Sequence, residues 1–242
     1  MSLISLTAEK AGWRKIQCLI CTDSLTVTVS WRSLLFLEKE KRICEECSAQ
    51  LLPISGTVCK KCCRPQETES LCDDCSIWEE TEEFRDMLQR NVSLFSYTPF
   101  MKEVLSTYKF RGDAELAKIF QPLMVKAYQQ HFSSLKPLLL PIPLSPQRLY
   151  ERGYNQSELL IAPLLRNSTS SPLIRISSEK QSKKTKKERM QVLPFKLSGQ
   201  IPQRPILLID DIYTTGATLH HTAKLLRDNG ASEVYSLTLI RS

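Results

Sequence analysis

Apolar positions along the chain fall into two kinds of run. Short continuous runs bounded by proline, glycine or acids read as buried strands: "LLLPIP" from Leu138, and Ile206–Ile209. Spaced apolar positions predict helices over Phe100–Tyr108 and Asp113–Gln130, with "FRGD" breaking them apart, and over "QSELLIAPLLRN", interrupted or bent at Pro163. At the C-terminal end a helix over Ala217–Asn229, stopped by Gly230, leads into a strand over Glu233–Ile240. Strands alternating with helices predict an α/β domain with a mainly parallel sheet and helices on both faces. The stretch "IWEETEEFRDMLQR" is acidic and free of glycine and proline, and predicts a connecting helix.

Composition narrows the class. The 242 residues are 42% apolar and 24% charged, which suits one large globular domain or a medium one with a small companion. The longest apolar run, Leu138–Leu144, holds two prolines and is too short to cross a bilayer; the opening "MSLISLTAEK" lacks the layout of a secretory signal. A cytoplasmic location is therefore expected. A formal charge of +7 favours anionic partners only slightly.

The cysteines change the picture most. All nine lie between Cys18 and Cys75, and eight form the pairs "CLIC", "CEEC", "CKKC" and "CDDC". In a reducing cytosol such pairs are zinc knuckles, each offering two thiolates to a tetrahedral ion. The simplest pairing puts Cys18, Cys21, Cys44 and Cys47 in one site and Cys59, Cys62, Cys72 and Cys75 in the other; an interleaved pairing stays open, and Cys63 is left over. Redox C-x-x-C pairs or unligated buried thiols are the alternatives, and neither explains four such pairs. Closed four-cysteine sites have structural work to do, because so short a segment can hardly build a core unaided. The expected division is a double zinc-ribbon module over 1–77 and an α/β domain over 78–242.

The stretch "ILLIDDIYTTGATL" carries the most specific chemistry. An apolar strand ends in two adjacent acids, then a small hydroxylated turn and a helix start, which is the corner where open α/β sheets bind ligands. Turn amides, the helix N-terminus and the hydroxyls of Thr214, Thr215 and Thr218 suit a phosphate monoester. The carboxylates of Asp210 and Asp211 only accept, so vicinal ribose hydroxyls are fitting donors. An acidic strand end with an ordinary helix cap is the bland alternative, but a cap does not need both acids.

This stretch resembles the phosphoribosyl pyrophosphate (PRPP) motif of type I phosphoribosyltransferases. The resemblance implies that Asp210 and Asp211 hold the ribose, and that Thr214, Thr215, Gly216, Ala217 and Thr218 hold its 5′-phosphate, with Mg²⁺ accompanying PRPP. Along nearly the whole chain, the knuckles, "YKFRGD", "PIPLSPQRLYERGYNQSELL" and the PRPP motif together resemble the ComF (ComFC) competence proteins and their GntX-like relatives. That family implies a zinc module fused to a type I phosphoribosyltransferase fold, and a part in DNA uptake during natural transformation beside an ATP-driven ComFA-like translocase. Arg148, Arg152, Gly153, Asn155 and Gln156 match its "RLYERGYNQ" motif. Arg148 and Arg152 share a face if the segment is helical, where they would hold pyrophosphate or other phosphates or form a solvated basic face. Lys109 and Arg111 are weaker candidates of the same kind.

Two features depart from the enzymes. Thr214 stands where purine phosphoribosyltransferases commonly place an acid near the base, so no general base is evident. In "RISSEKQSKKTKKERM", the counterpart of the family's mobile loop, lysine largely replaces arginine, with seven basic and two acidic residues between Arg175 and Arg189. Lys183, Lys184, Lys186, Lys187 and Arg189 are candidates for single-stranded DNA, against a solvated charged face. The sequence thus expects a competence accessory that binds single-stranded DNA, the translocase, or both. An active phosphoribosyltransferase acting on a nitrogen acceptor is the alternative, and a zinc-ribbon regulator is weaker, since acids occupy two knuckle tips.

Overall fold

The computed structural model describes residues 16–25, 42–110, 113–165, 171–176 and 195–242. The chain divides into two compact units, Met1–Gln50 and Leu51–Ser242. In the smaller unit, a turn at Cys18–Thr22 is closed by Cys18 N–H on Asp23 O (2.8 Å) and Thr22 N–H on Cys18 O (2.9 Å). Helix α1 (Glu45–Gln50) starts inside "CEEC", so its two acids lie in the first turn, where the helix dipole favours negative charge.

The larger unit repeats this construction. "CKKC" forms a turn closed by Cys63 N–H on Cys59 O (3.1 Å), and "CDDC" opens helix α2 (Asp73–Glu80) with Asp73 and Asp74 in its first turn. The residues just past the two turn knuckles, Thr22 and Cys63, both have left-handed backbone (φ 67° and 58°). Cys63, surplus to the pairs, thus closes a turn, and its thiol donates to Asn91 O (3.2 Å).

The sheet follows. Strand β1 (Asn91–Ser96), helices α3 (Pro99–Phe110) and α4 (Ala117–His131), strand β2 (Leu138–Pro141) and helices α5 (Pro146–Arg152) and α6 (Gln156–Leu160) precede a small antiparallel pair, β3 (Leu173–Arg175) with β4 (Phe195–Leu197). Strand β5 (Ile206–Tyr213), helix α7 (Ala217–Asp228) and strand β6 (Val234–Arg241) complete it. The main sheet is parallel throughout, ordered β1-β6-β5-β2. Ile206, Leu207, Leu208 and Ile209 are fully buried in succession, as expected of a central parallel strand covered on both faces. The outer edge of β1 is covered by 52–54, through Ile54 N–H on Leu94 O and Ser96 N–H on Leu52 O.

Several expectations change here. β5 runs on through the acids to Tyr213, because its ladder with β6 continues to Tyr213↔Arg241. The connecting helix does not extend over 77–90: α2 ends at Glu80, and turns at 81–87 swing Phe84 against Trp78 (centroids 4.8 Å) and His221 (4.8 Å). Aromatic burial there outweighs local helix propensity. β1 is not apparent from its sequence because two of its buried positions, Asn91 and Ser93, are polar. Asn91 donates to Ser93 Oγ (2.7 Å) and Cys62 O (3.3 Å) and accepts from Ser236 Oγ (2.9 Å), a buried and satisfied network. That network also bears on the division of the chain. It ties the second cysteine group to β1 and β6, and Cys59, Cys62, Cys72 and Cys75 share one core with Leu208, Tyr213 and Leu219. The compact units separate at 50/51, within the cysteine-rich segment.

Candidate functional site

The two cysteine groups are Cys18, Cys21, Cys44, Cys47 and Cys59, Cys62, Cys72, Cys75, each with its sulfurs within 4.8 Å of one another. Cys21 Sγ and Cys44 Sγ are 3.7 Å apart, and Cys62 Sγ and Cys72 Sγ 3.6 Å. Zn–S bonds of about 2.3 Å in a tetrahedron set sulfurs about 3.8 Å apart, so both groups could hold a zinc ion. Amide hydrogens point at the sulfurs as they do around thiolates: Cys44 N–H and Ile20 N–H on Cys18 Sγ (both 3.4 Å), and Cys72 N–H on Cys59 Sγ (3.4 Å).

At the carboxyl end of β5 a cleft of about 650 Å³ gathers Lys109, Arg148, Arg152, Arg175, Asp210, Asp211 and Thr218. These residues come from α3, α5, β3, β5 and α7. Pro146 at the start of α5 and the Ser145 hydroxyl, which accepts from Arg148 N–H (3.3 Å), set where that helix begins; Gly153 ends it in left-handed backbone (φ 78°). Arg148 and Arg152 are therefore one helical turn apart and face the same cleft. Asn155 then caps α6 by accepting from Ser157 N–H (3.0 Å) and is anchored by its amide on Ile142 O (3.1 Å). Gln156 receives Arg152 Nη1–H at 2.5 Å, holding the guanidinium over the cleft. The "RGYNQ" matches thus shape and brace the wall that Arg152 presents.

The two acids differ in their surroundings. Asp211 is 3% exposed and ion-paired with Lys109. Asp210 accepts from Ser157 Oγ–H (3.2 Å) and from Asp211 N–H (2.9 Å). Burial, and then the adjacent Asp211 charge, push the Asp210 carboxyl up to about 7, against the downward pull of Lys109. Burial draws Arg152 and Arg175 below the usual guanidinium range; Asp211 and Asp210, respectively, act the other way. The cleft therefore places cations around two carboxyl groups, an arrangement able to take an anion and donor hydroxyls together.

The turn after β5 is built around Gly216, whose φ of 79° favours glycine and whose position leaves no room for a Cβ: one would lie 2.2 Å from Tyr213 Oη. Thr218 lines the cleft and Thr214 is exposed. Behind the turn, Trp78 Nε1–H donates to Thr215 O (2.8 Å) and Arg241 Nη1–H to Thr214 O (2.8 Å). Trp78 stacks on His220 (4.4 Å, 5° between planes), and burial holds that imidazole down to about 3, so it is neutral. Lys183, Lys184, Lys186, Lys187, Arg189 and Arg111 lie outside the described residues. Arg175, in sequence no more than the start of the basic run, also lines the cleft. Trp78 and Arg241 carry no motif that could have marked them.

A phosphoribosyl transferase domain model matches residues 151–242, which contain α6, β5, the turn, α7 and β6. Over 234 residues the chain is 40% identical to Competence protein ComFC of Bacillus subtilis, covering 96% of this chain and 97% of that protein. It is 34% identical to Competence protein ComFC of Streptococcus pneumoniae, covering 93% and 100%. DNA utilization protein YhgH of Escherichia coli K12 is 26% identical over 221 residues, covering 83% and 97%. With two four-cysteine groups ahead of a parallel-sheet phosphoribosyltransferase fold, the chain belongs to the ComFC family of competence proteins.

Proposed function

We propose that this protein acts in the cytosol in DNA uptake during natural transformation, handling incoming single-stranded DNA beside an ATP-driven translocase, and that its cleft is a ribose 5-phosphate site of PRPP type. The observation that carries the pocket reading is the convergence of Lys109, Arg148, Arg152 and Arg175 on Asp210 and Asp211 at the end of β5. In this reading the carboxylates accept the ribose hydroxyls, the turn Thr214–Thr218 takes the 5′-phosphate, and the arginines and Lys109 take a pyrophosphate or a neighbouring backbone phosphate. Zinc in both cysteine groups completes the fold, and Mg²⁺ accompanies PRPP by neutralising its phosphates. Family membership carries the competence role, and the lysine-rich run 180–189 supplies charge for a nucleic-acid backbone.

Thermal shift with PRPP and Mg²⁺ tests the pocket. A ligand that binds only the native chain raises its melting temperature, and the double substitution Asp210→Asn, Asp211→Asn abolishes that rise. An equal response from the double variant removes the acids from the site. Salt titration tests the DNA role: affinity for single strands falls roughly as the 0.7 power of salt per neutralised phosphate, whatever the base sequence. Replacing Lys183, Lys184, Lys186 and Lys187 by alanine flattens that slope. Base-dependent pyrophosphate release with no DNA binding at low salt would make the protein a working phosphoribosyltransferase instead.

A further inference from the structure

We propose that the second cysteine group and the turn Thr214–Thr218 are energetically coupled, with Arg241 and Trp78 as the positioning residues, so that metal held by Cys59, Cys62, Cys72 and Cys75 and phosphate held by the turn favour each other. The metal half rests on the chain's own sulfurs, and the phosphate half rests on the pocket reading above. Arg241 closes β6 with a side chain shielded completely from solvent. Its Nε–H donates to Cys62 Sγ (3.3 Å), while Nη1–H reaches Tyr213 O (3.2 Å) and Thr214 O (2.8 Å), and the guanidinium lies over the Tyr213 ring (4.8 Å). One planar cation thus joins a cysteine sulfur to the two carbonyls at which the turn begins. Four thiolates outweigh one divalent ion, so an occupied site is negative and offsets a guanidinium that burial alone would disfavour.

A second link runs in parallel. Trp78 lies three residues past Cys75 on α2, and its indole N–H holds Thr215 O (2.8 Å) while the ring stacks on His220 of α7. His220 Nε2 is 3.2 Å from Tyr213 Oη, the group packed where a Cβ of Gly216 would stand. Carbonyls at both of the first two turn positions are therefore held from behind by groups anchored on the cysteine group. A trans peptide sets its N–H opposite its C=O, so with those carbonyls held from behind the Thr215 and Gly216 amides point away from Arg241 and Trp78. A metal that fixes four sulfurs fixes α2 and Arg241, and through them the turn. Coupling between equilibria is reciprocal, so a bound phosphate must in turn retain the metal.

The test follows zinc release from the full chain to a chromogenic chelator, with and without saturating ribose 5-phosphate, binding being monitored by calorimetry. Two zinc ions leave, and ribose 5-phosphate slows one of them by at least about fivefold, the low end for linked sites, leaving the other unchanged. Trp78→Phe keeps the ring but not the N–H, and it retains both zinc ions yet loses this protection and binds ribose 5-phosphate more weakly. Arg241→Lys cannot bridge the sulfur and both carbonyls, and it releases one zinc faster even without ligand. If ribose 5-phosphate binds the parent but changes neither release rate, and both variants release zinc as the parent does, the coupling is wrong while the pocket stands. If ribose 5-phosphate does not bind, the pocket reading falls. Arg241→Lys then decides the link alone: faster release supports it and a parental rate overturns it. Should Arg241→Lys fail to fold, Trp78→Phe decides by the same two measures of protection and affinity, or, without binding, by its release rate.

Discussion

Asp210→Asn should make the protein more stable and less able to bind, and the gain should depend on pH. In the folded chain burial and Asp211 raise the Asp210 carboxyl from 3.8 to about 7. Between those values the folded state keeps a proton that the unfolded chain has released, so stability falls as pH rises through the window and levels off above it. At about 1.4 kcal/mol per unit, the shift is worth on the order of 4 kcal/mol at neutral pH. Asparagine retains an acceptor oxygen for Ser157 Oγ–H and Asp211 N–H without the charge. A kilocalorie moves the midpoint of a chain this size by about 2–4 °C, so the variant should melt about 5 °C or more above the parent at pH 7.5. The difference should shrink steadily towards pH 4. Melting curves of both chains at several pH values measure it, and subtracting one from the other cancels the titrations they share, including those of the cysteines. A difference independent of pH, or a variant that melts below the parent at pH 7.5, would refute the argument.

Metal analysis of the purified chain should find two zinc ions, and fewer than one would remove the structural role given to the cysteine groups. Cys59→Ser should unsettle the sheet domain as well as its knuckle, since this group shares the sheet's core, whereas Cys47→Ser should leave the Leu51–Ser242 unit folded; proteolysis distinguishes the two. Lys109→Met strands the buried Asp211 carboxylate and should cost about 3 kcal/mol in urea denaturation at pH 7.5, with a smaller loss when Asp211→Asn accompanies it. Gly216→Ala, at φ 79° with Tyr213 Oη in the way, should cost about 1–3 kcal/mol and weaken ribose 5-phosphate binding; unchanged affinity would mean the turn does not touch the phosphate.

The parts of the site legible in sequence are those whose chemistry is local. Two acids beside a Thr-Thr-Gly turn and four C-x-x-C pairs announce themselves because each pattern is complete within a few positions of the chain. The common face of Arg148 and Arg152 is conditional on a helix there, and the structure supplies it: Pro146–Arg152, capped by Ser145 and ended at Gly153. By itself, then, the sequence determined the α/β class, the cysteine pairs and most cleft residues. Tertiary structure decided the rest, for reasons of packing. Asn91 and Ser93 become strand residues because partners on β6 and the Cys62 carbonyl satisfy them, and no periodicity announces that. The acidic segment after Glu80 turns instead of continuing as helix because Phe84 gains more by burial against Trp78 and His221. Trp78 and Arg241 stand far apart in the chain, yet both hold the turn at 214–215 from behind, since a parallel sheet brings the ends of distant strands together while the cysteine group packs into its core.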